Sequence, residues 1–329
     1  MKPVNNGATY RRYAVSGLII ESGFDLPEWG GFEIAIDAAA PQVRIQLQAL
    51  HAGEAETVES VTDRKDSAFS VPSTARYRMI EGREIVVTPF PGAKMAEIRL
   101  FLLGTAWAVL CYQRGLFILH AAAVRINNGA VAFCGDSGAG KSSLAAQCAD
   151  MGYPPVSDDL CRISLSVQGA PQVYPSTPRL KLWNDTLEAM GWSTDGLARD
   201  HFRLEKFHLP VKEPGGRDAL PLRAIYLLEW GEAGLSRLKG ALAVRALVRA
   251  ATYRGELLEP LGRLAQHWDF SRELVCRVQV WKWSRPRDWQ AREMTTDRLQ
   301  RHFQELDQIP DTPDNDKTVG QAFAPFQDL

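Results

Sequence analysis

The densest chemistry in the chain lies in Gly135-Asp136-Ser137-Gly138-Ala139-Gly140-Lys141-Ser142, followed by Ser143. The stretch fits G-x-x-x-x-G-K-[ST]. Its glycines let the backbone bend until successive N–H groups point inward at phosphate oxygens. A helix starting near Lys141 would add its positive N-terminal end. The Lys141 ammonium can reach β- and γ-phosphate oxygens, and the Ser142 hydroxyl can ligate Mg²⁺. A second cluster is Asp158-Asp159. Alone it reads as a solvated turn. Shortly downstream of a phosphate loop it reads as a metal acid and a proton acceptor, since one Mg²⁺ does not need two adjacent carboxylates. His120, in the apolar segment ILHAAAV, is the third feature. A histidine there is commonly a satisfied core residue, but at a strand end near phosphates it could hold an oxygen or orient an acid.

These residues need particular elements beneath them. The apolar run AVAFC leading into the loop reads as a strand, and SSLAAQCADMG after it reads as a helix closed by Gly152. LFILHAAAVRI reads as a strand joined to AVAFC through a turn at Asn127-Asn128-Gly129, so the loop strand has an antiparallel neighbour before it. PPVSDDLCRISL is expected to be a strand ending in the acid pair. LRAIYLLEW is expected to be a further strand, followed by helices over 238–252 and 256–268. The strand ELVCRVQVWKW and a helix over 289–305 complete the series. Upstream, residues 94–114 read as one helix with a broad apolar face. Residues 10–95 read as β-rich, with alternation at Val43, Ile45 and Leu47 and at Phe32, Ile34 and Ile36. A turn is expected at Glu81-Gly82 and a polar loop over 52–76. The expected division is an accessory β-rich domain over 1–93, a phosphate-loop kinase domain over 94–305 and an acidic, flexible tail over 306–329.

Composition narrows the partners. The chain has 329 residues, 45% of them hydrophobic and 23% charged, with a formal net charge of −1. That is the balance of a globular protein with a sizeable core. No basic stretch tracks a nucleic-acid backbone. The apolar run 101–112 is too short to span a bilayer, and the first residues lack a secretory apolar segment, so a cytoplasmic location is expected. The five cysteines include no C-x-x-C and read as buried thiols. Trp183, Trp230, Trp281 and Trp283 are expected to be packing aromatics.

LHAAAVRINNGAVAFCGDSGAGKSSLAAQCADMGYPPVSDD resembles the core of HPr kinase/phosphorylase and its smaller HPr-kinase-like relatives. The shared features are an upstream histidine on a hairpin strand, GDSGxGKS, a helix, and a strand carrying Asp-Asp. The flanking stretches YAVSGLIIESGFDLPEW, PSTPRLKLWNDTLEAMG and LPLRAIYLLE are similar to the smaller relatives. The resemblance implies an α/β P-loop kinase core of the HPr kinase / phosphoenolpyruvate carboxykinase type. It implies ATP and Mg²⁺ as cofactors and a serine hydroxyl on a peptide or small protein as acceptor. By the resemblance, Gly135 to Ser143 cradle phosphate and Ser142, Asp158 and Asp159 serve the metal. Asp159, with Asp158 beside it, accepts the seryl proton, and His120 and Lys141 assist at the phosphate. Which aspartate is the base stays open. The family's glycine-rich signature after the acid pair is replaced by VYPSTPRLKLW, which sets this chain apart from HPr kinase proper. It looks closer to kinases of lasso peptide precursors. Arg179 and Lys181 could bind phosphate or a peptide carboxylate, or be two solvated charges on a strand. Lys206, read as a basic spot before a turn, could close over the γ-phosphate. HPr(Ser) kinase/phosphorylase activity, a nucleotide-sensing NTPase, a small-molecule kinase and an inactive scaffold are the alternatives. Homo-oligomer formation stays open.

Overall fold

In the computed structural model, residues 10–51, 60–127, 129–176, 179–200, 204–211 and 215–308 are described. A seven-stranded sheet comes first, in the order β3-β1-β2-β4-β7-β6-β5. Its strands are β1 (Arg11–Val15), β2 (Leu18–Ser22), β3 (Glu33–Ile34), β4 (Val43–Leu47), β5 (Asp66–Val71), β6 (Ala75–Ile80) and β7 (Glu84–Pro89). The turn at Glu81-Gly82 is present, with both residues at positive φ, and it joins β6 to an antiparallel β7. Val43 and Ile45 point into the core, as their alternation requires.

Two expectations in this region fail. Phe32 belongs to a 3-10 turn over Pro27–Phe32 and Ile36 is 49% exposed, so only the two residues of β3 in that stretch form a strand. The expected loop over 52–76 contains β5, whose residues DSAFSV pair with β6 along their whole length. A short edge strand with small polar residues carries little hydrophobic signal. Residues 52–59 lie outside the described residues, as do Asn128, residues 1–9 and 309–329, the greater part of the expected tail.

The helix expected over 94–114 forms as α1 (Met95–Phe101) and α2 (Trp107–Gln113), joined through a π turn at Leu102–Ala106. The whole run, Met95–Gln113, is long and apolar enough to cross a membrane by length and composition. Its apolar face is instead packed in one cluster with the first sheet, Ile98, Leu102 and Trp107 meeting Tyr13, Trp29 and Tyr77. Ile118, Leu160, Leu258 and Leu261 join that same cluster from later in the chain.

The second sheet carries the phosphate-loop candidate. It is built from β8 (Phe117–Ile126), β9 (Gly129–Cys134), β10 (Pro155–Ser157), β11 (Leu160–Leu165), β12 (Pro171–Val173), β16 (Leu220–Trp230), β17 (Gly234–Leu238) and β18 (Gln279–Arg285). β8 and β9 form the expected antiparallel hairpin. β16 then runs parallel to β9 on its other side, and β18 parallel to β16. Every residue of β9 is buried, because both faces of the sheet are covered. Ala121, Ala123, Ala132 and Cys134 face α5 (Gly240–Ala251) and α6 (Leu264–Val275). Ala122, Val124, Val131 and Phe133 face α3 (Lys141–Asp150) and α7 (Arg292–Gln308). A smaller sheet of β13 (Arg179–Trp183), β14 (Ala198–Arg199) and β15 (Lys206–Pro210), with α4 (Asn184–Ala189), lies beside α3.

The helices expected over 238–252 and 289–305 form within a few residues of those bounds, but the one expected over 256–268 runs from Leu264 to Val275. The strand expected over ELVCRVQVWKW starts only at Gln279, because Glu273, Leu274 and Val275 close α6. The apolar Leu274-Val275 pair at the helix end imitates a strand start.

Candidate active site

Local backbone geometry makes the loop. Gly135, Gly138 and Gly140 all have positive φ, and Gly140 is the residue before α3. A side chain at Gly140 would place its Cβ 2.6 Å from Arg285 Nη2 and 3.2 Å from the Trp230 ring, so only glycine fits. Lys141 is 7% exposed, and its ammonium donates to the carbonyls of Gly135 at 2.8 Å and Asp136 at 3.0 Å. Burial lowers its pKa. The α3 N-terminus thus faces a cavity of about 570 Å³ lined by Ser137, Gly138, Gly140, Lys141, Ser142 and Ser143. Ser143 also exchanges a hydrogen bond with Thr186 on α4 at 2.8 Å, which ties α3 to the small sheet.

The acid pair does not end a strand. β10 and β11 pair with β8 on either side of it, and Asp158-Asp159 interrupt what would be one long strand. Asp159 sits at φ +73, a left-handed conformation that aspartate tolerates better than most residues. The kink turns the two carboxylates to different neighbours. Asp158, 6% exposed, accepts from Ser142 Oγ at 2.7 Å and from the Lys181 amide at 2.8 Å. Burial raises its pKa, and the hydrogen bonds from the Lys181 amide and Ser142 and the Lys206 charge offset that only in part. Asp159, its side chain 26% exposed, accepts from Lys181 Nζ at 3.0 Å, and His120 Nε2 lies 3.5 Å away. Burial acts to raise the Asp159 pKa, but Lys181 and then His120 hold it well below the usual carboxylate range. Both acids line the cavity that holds the loop.

His120 is where alternation puts it, on the face of β8 shared with Ala122 and Val124 and hence with α3. Burial, reinforced by the Lys141 charge, lowers its pKa to about 4, so it is neutral at pH 7. Tyr253 stands edge-on to its ring at 5.6 Å.

Lys181 and Arg179 are not solvated. Lys181 is the middle of a buried charge chain, 3.0 Å from Asp159 and 3.6 Å from Asp200. Asp200 accepts from His208 Nε2 at 2.6 Å, and His208 Nδ1 accepts from Arg179 at 2.8 Å. Arg179 in turn lies 3.7 Å from Glu28, which Arg99 on α1 holds at 2.9 Å. Arg179 therefore does not line the loop cavity; its guanidinium serves this chain. Lys206 starts β15, paired with Trp183, rather than preceding a turn, and it does line the cavity.

Several lining residues carry no sequence expectation of this kind. Trp183 and Trp230, expected to be core or packing aromatics, are 41% and 40% exposed on the cavity wall, while Trp283 is buried. Arg285, Arg287, Trp289 and Arg292 also line the cavity. Their only early signal was the run WKWSRPRDW, in which basic residues directly follow an apolar strand. Among the described residues no group of three or more His, Cys, Asp or Glu side chains could hold a metal. Mg²⁺ at a phosphate site needs fewer, since one or two protein oxygens act with phosphate oxygens and water. The adjacent Ser142 hydroxyl and the buried Asp158 carboxylate fit that requirement.

No family model matches the chain, and no curated protein matches it. Among solved structures it is similar to the HPr(Ser) kinase/phosphatase from Coxiella burnetii. That match has 12% identity and a TM-score of 0.31, and it covers 58% of this chain and 99% of that one.

Proposed function

We propose that the protein is a cytoplasmic P-loop kinase of the HPr-kinase-like type. It transfers the γ-phosphoryl group of ATP to a serine hydroxyl on a peptide or small protein, with a lasso peptide precursor as the favoured acceptor. The observation that carries this reading is that both carboxylates of Asp158-Asp159 line the same cavity as the loop and Lys141. Each acid has a different environment there.

The loop amides and Lys141 hold the donor's phosphates. Ser142 Oγ and Asp158 are the residues that would hold Mg²⁺, which when bound supplies charge neutralisation at the phosphate oxygens. Asp159 is the proton acceptor. It is the more exposed of the two acids, and Lys181 keeps it ionised. In the step, the seryl oxygen forms a bond to the γ-phosphorus and the bond to the β–γ bridging oxygen breaks. The seryl proton passes to Asp159 and ADP leaves. A weakly basic carboxylate suits a loose transition state in which positioning supplies most of the rate. Neutral His120 orients Asp159 and, with Lys206, faces the transferred group.

The test pairs two substitutions. Lys141→Ala should abolish nucleotide binding and transfer. Asp159→Asn should leave nucleotide binding largely intact and remove transfer to serine-terminated peptides, read as phosphopeptide by mass spectrometry. Transfer by Asp159→Asn at the parental rate would overturn the role given to Asp159.

A further inference from the structure

The charge chain behind Asp159 runs back as far as α1, yet the transfer step above uses only its last two members, Asp159 and Lys181. The small sheet assembles the rest. In β13, Leu180 and Leu182 turn toward α3, so Arg179 and Lys181 share the opposite face. In β15, His208 stands opposite Lys181 in the antiparallel register, with Arg179 as its diagonal neighbour on that face. Asp200, just beyond β14, is fixed through its amide, which donates to the Lys206 carbonyl at 2.7 Å. Glu28, Arg99, Arg179, His208 and Asp200 line no part of the loop cavity.

The bonding pattern leaves the middle of the chain one arrangement. Arginine only donates, so His208 Nδ1, 2.8 Å from Arg179 Nη1, is an acceptor, and the single ring proton lies on Nε2. That N–H donates to Asp200 Oδ1 at 2.6 Å. Burial lowers the His208 pKa, in keeping with a neutral ring. Asp200 Oδ1 lies 3.6 Å from Lys181 Nζ, whose bond to Asp159 goes to Oδ2 at 3.0 Å. The ammonium is therefore drawn from two sides. Asp159 Oδ1 is left facing His120 Nε2 at 3.5 Å, longer than an ordinary hydrogen bond. An ammonium has three donors. Without Asp200 opposite it, Lys181 could sit across both oxygens of Asp159 and occupy the one the serine needs.

We infer that Asp200 and His208 are positioning residues of the transfer reaction: they hold the Lys181 ammonium on Oδ2 of Asp159, so that Oδ1 is the oxygen that accepts the seryl proton. Arg179 and Glu28 anchor the pair from behind. The inference rests on the reading of Asp159 as proton acceptor and adds the residues outside the cavity that aim it.

Two measurements on the full chain test it. The first is ¹⁵N NMR of the histidine-labelled protein at pH 7, with His208 assigned by the loss of its signals in His208→Gln. It should show the neutral Nε2–H tautomer, and a charged or Nδ1–H ring would overturn the arrangement whatever the acceptor. The second is transfer from ATP to a serine-terminated peptide, read as phosphopeptide, with ATP binding followed by calorimetry. Asp200→Asn keeps an oxygen for the His208 N–H and removes only the charge. Its kcat should fall roughly tenfold to a hundredfold, the scale of a reacting group displaced by about an ångström. Its ATP affinity and its KM for ATP should be unchanged, which also shows that the variant is folded. His208→Leu should lose a similar factor. His208→Gln, whose amide can accept from Arg179 and donate to Asp200, should recover most of it. In a Lys181→Met background Asp200→Asn should cost nothing more, because its effect passes through the ammonium. A parental kcat in Asp200→Asn, or an equal loss with and without Lys181, would overturn the positioning role while leaving Asp159 standing. If the unsubstituted protein transfers nothing, or Asp159→Asn transfers at the parental rate, the proton-acceptor reading fails and the positioning role fails with it.

Discussion

Replacing Lys181 by methionine removes one charge from the middle of a buried chain while nearly keeping the length of the side chain. Lys181 Nζ lies 3.0 Å from Asp159 and 3.6 Å from Asp200, with 16% of its side chain exposed. At an effective dielectric constant of about 20, one such pair is worth about 5 kcal/mol before desolvation is counted. Removing one partner of a buried pair costs roughly 3–5 kcal/mol. Asp200 keeps His208 and Asp159 is partly exposed, so the lower end, about 3 kcal/mol at pH 7, is expected. The pH dependence is the sharper part. Burial pushes the Asp159 and Asp200 pKa values up, but Lys181 with His120 at Asp159, and His208 with Lys181 at Asp200, hold both below the usual range. Such groups contribute stability that is fully present above the unfolded carboxylate pKa of about 4 and is lost as pH falls below it. The destabilisation caused by Lys181→Met should therefore shrink by roughly 1–2 kcal/mol between pH 7 and pH 3. Urea unfolding followed by tryptophan fluorescence at the two pH values measures it. An equal loss at both would refute the placement of Lys181 between two ionised carboxylates.

Other consequences follow from single sites. Gly140→Ala should lower the melting temperature and remove nucleotide binding, since the new Cβ meets Arg285 and Trp230 and the positive φ costs about 1–2 kcal/mol. Calorimetric scanning with and without ATP checks both, and an unchanged protein would refute the close approach. His267 is 4% exposed, stacks on Phe117, and burial lowers its pKa to about 4. The unfolded chain binds the proton first, so stability should fall as pH drops from about 6.5 to 4, by up to about 3 kcal/mol for a full shift of this size. His267→Gln should flatten that part of the stability curve, and an unaltered slope would show that His267 is not buried as a neutral ring. Phe303→Ala, at a fully buried position of α7, should cost roughly 3–5 kcal/mol in urea unfolding, and a cost below about 1 kcal/mol would mean that α7 is not docked on the sheet.

The loop, its strand and its helix were legible in the sequence because their causes are local. Glycines that tolerate positive φ, an apolar run on each side of the Asn127-Asn128-Gly129 turn signal and a helical run after Lys141 all lie within about thirty residues of one another. The same holds for the β6–β7 turn and for the length of the Met95–Gln113 helix. The long strands announced themselves through apolar runs, whereas β5 and the true start of β18 did not, because an exposed edge and a helix end blur that signal.

What the tertiary structure alone decided is the electrostatic character of each site residue. Asp158 and Asp159 are neighbours in sequence with the same side chain, yet one sits buried against Ser142 and the other is paired to a lysine 22 residues away. Glu28 and Arg99, 71 residues apart, meet at the far end of the same charge chain. Trp230 reaches the loop across 92 residues and Arg285 across 146. A residue's type states what it can do; burial and the charges packed around it set its pKa and its partner. Those depend on which strands lie side by side, a property that no local pattern encodes.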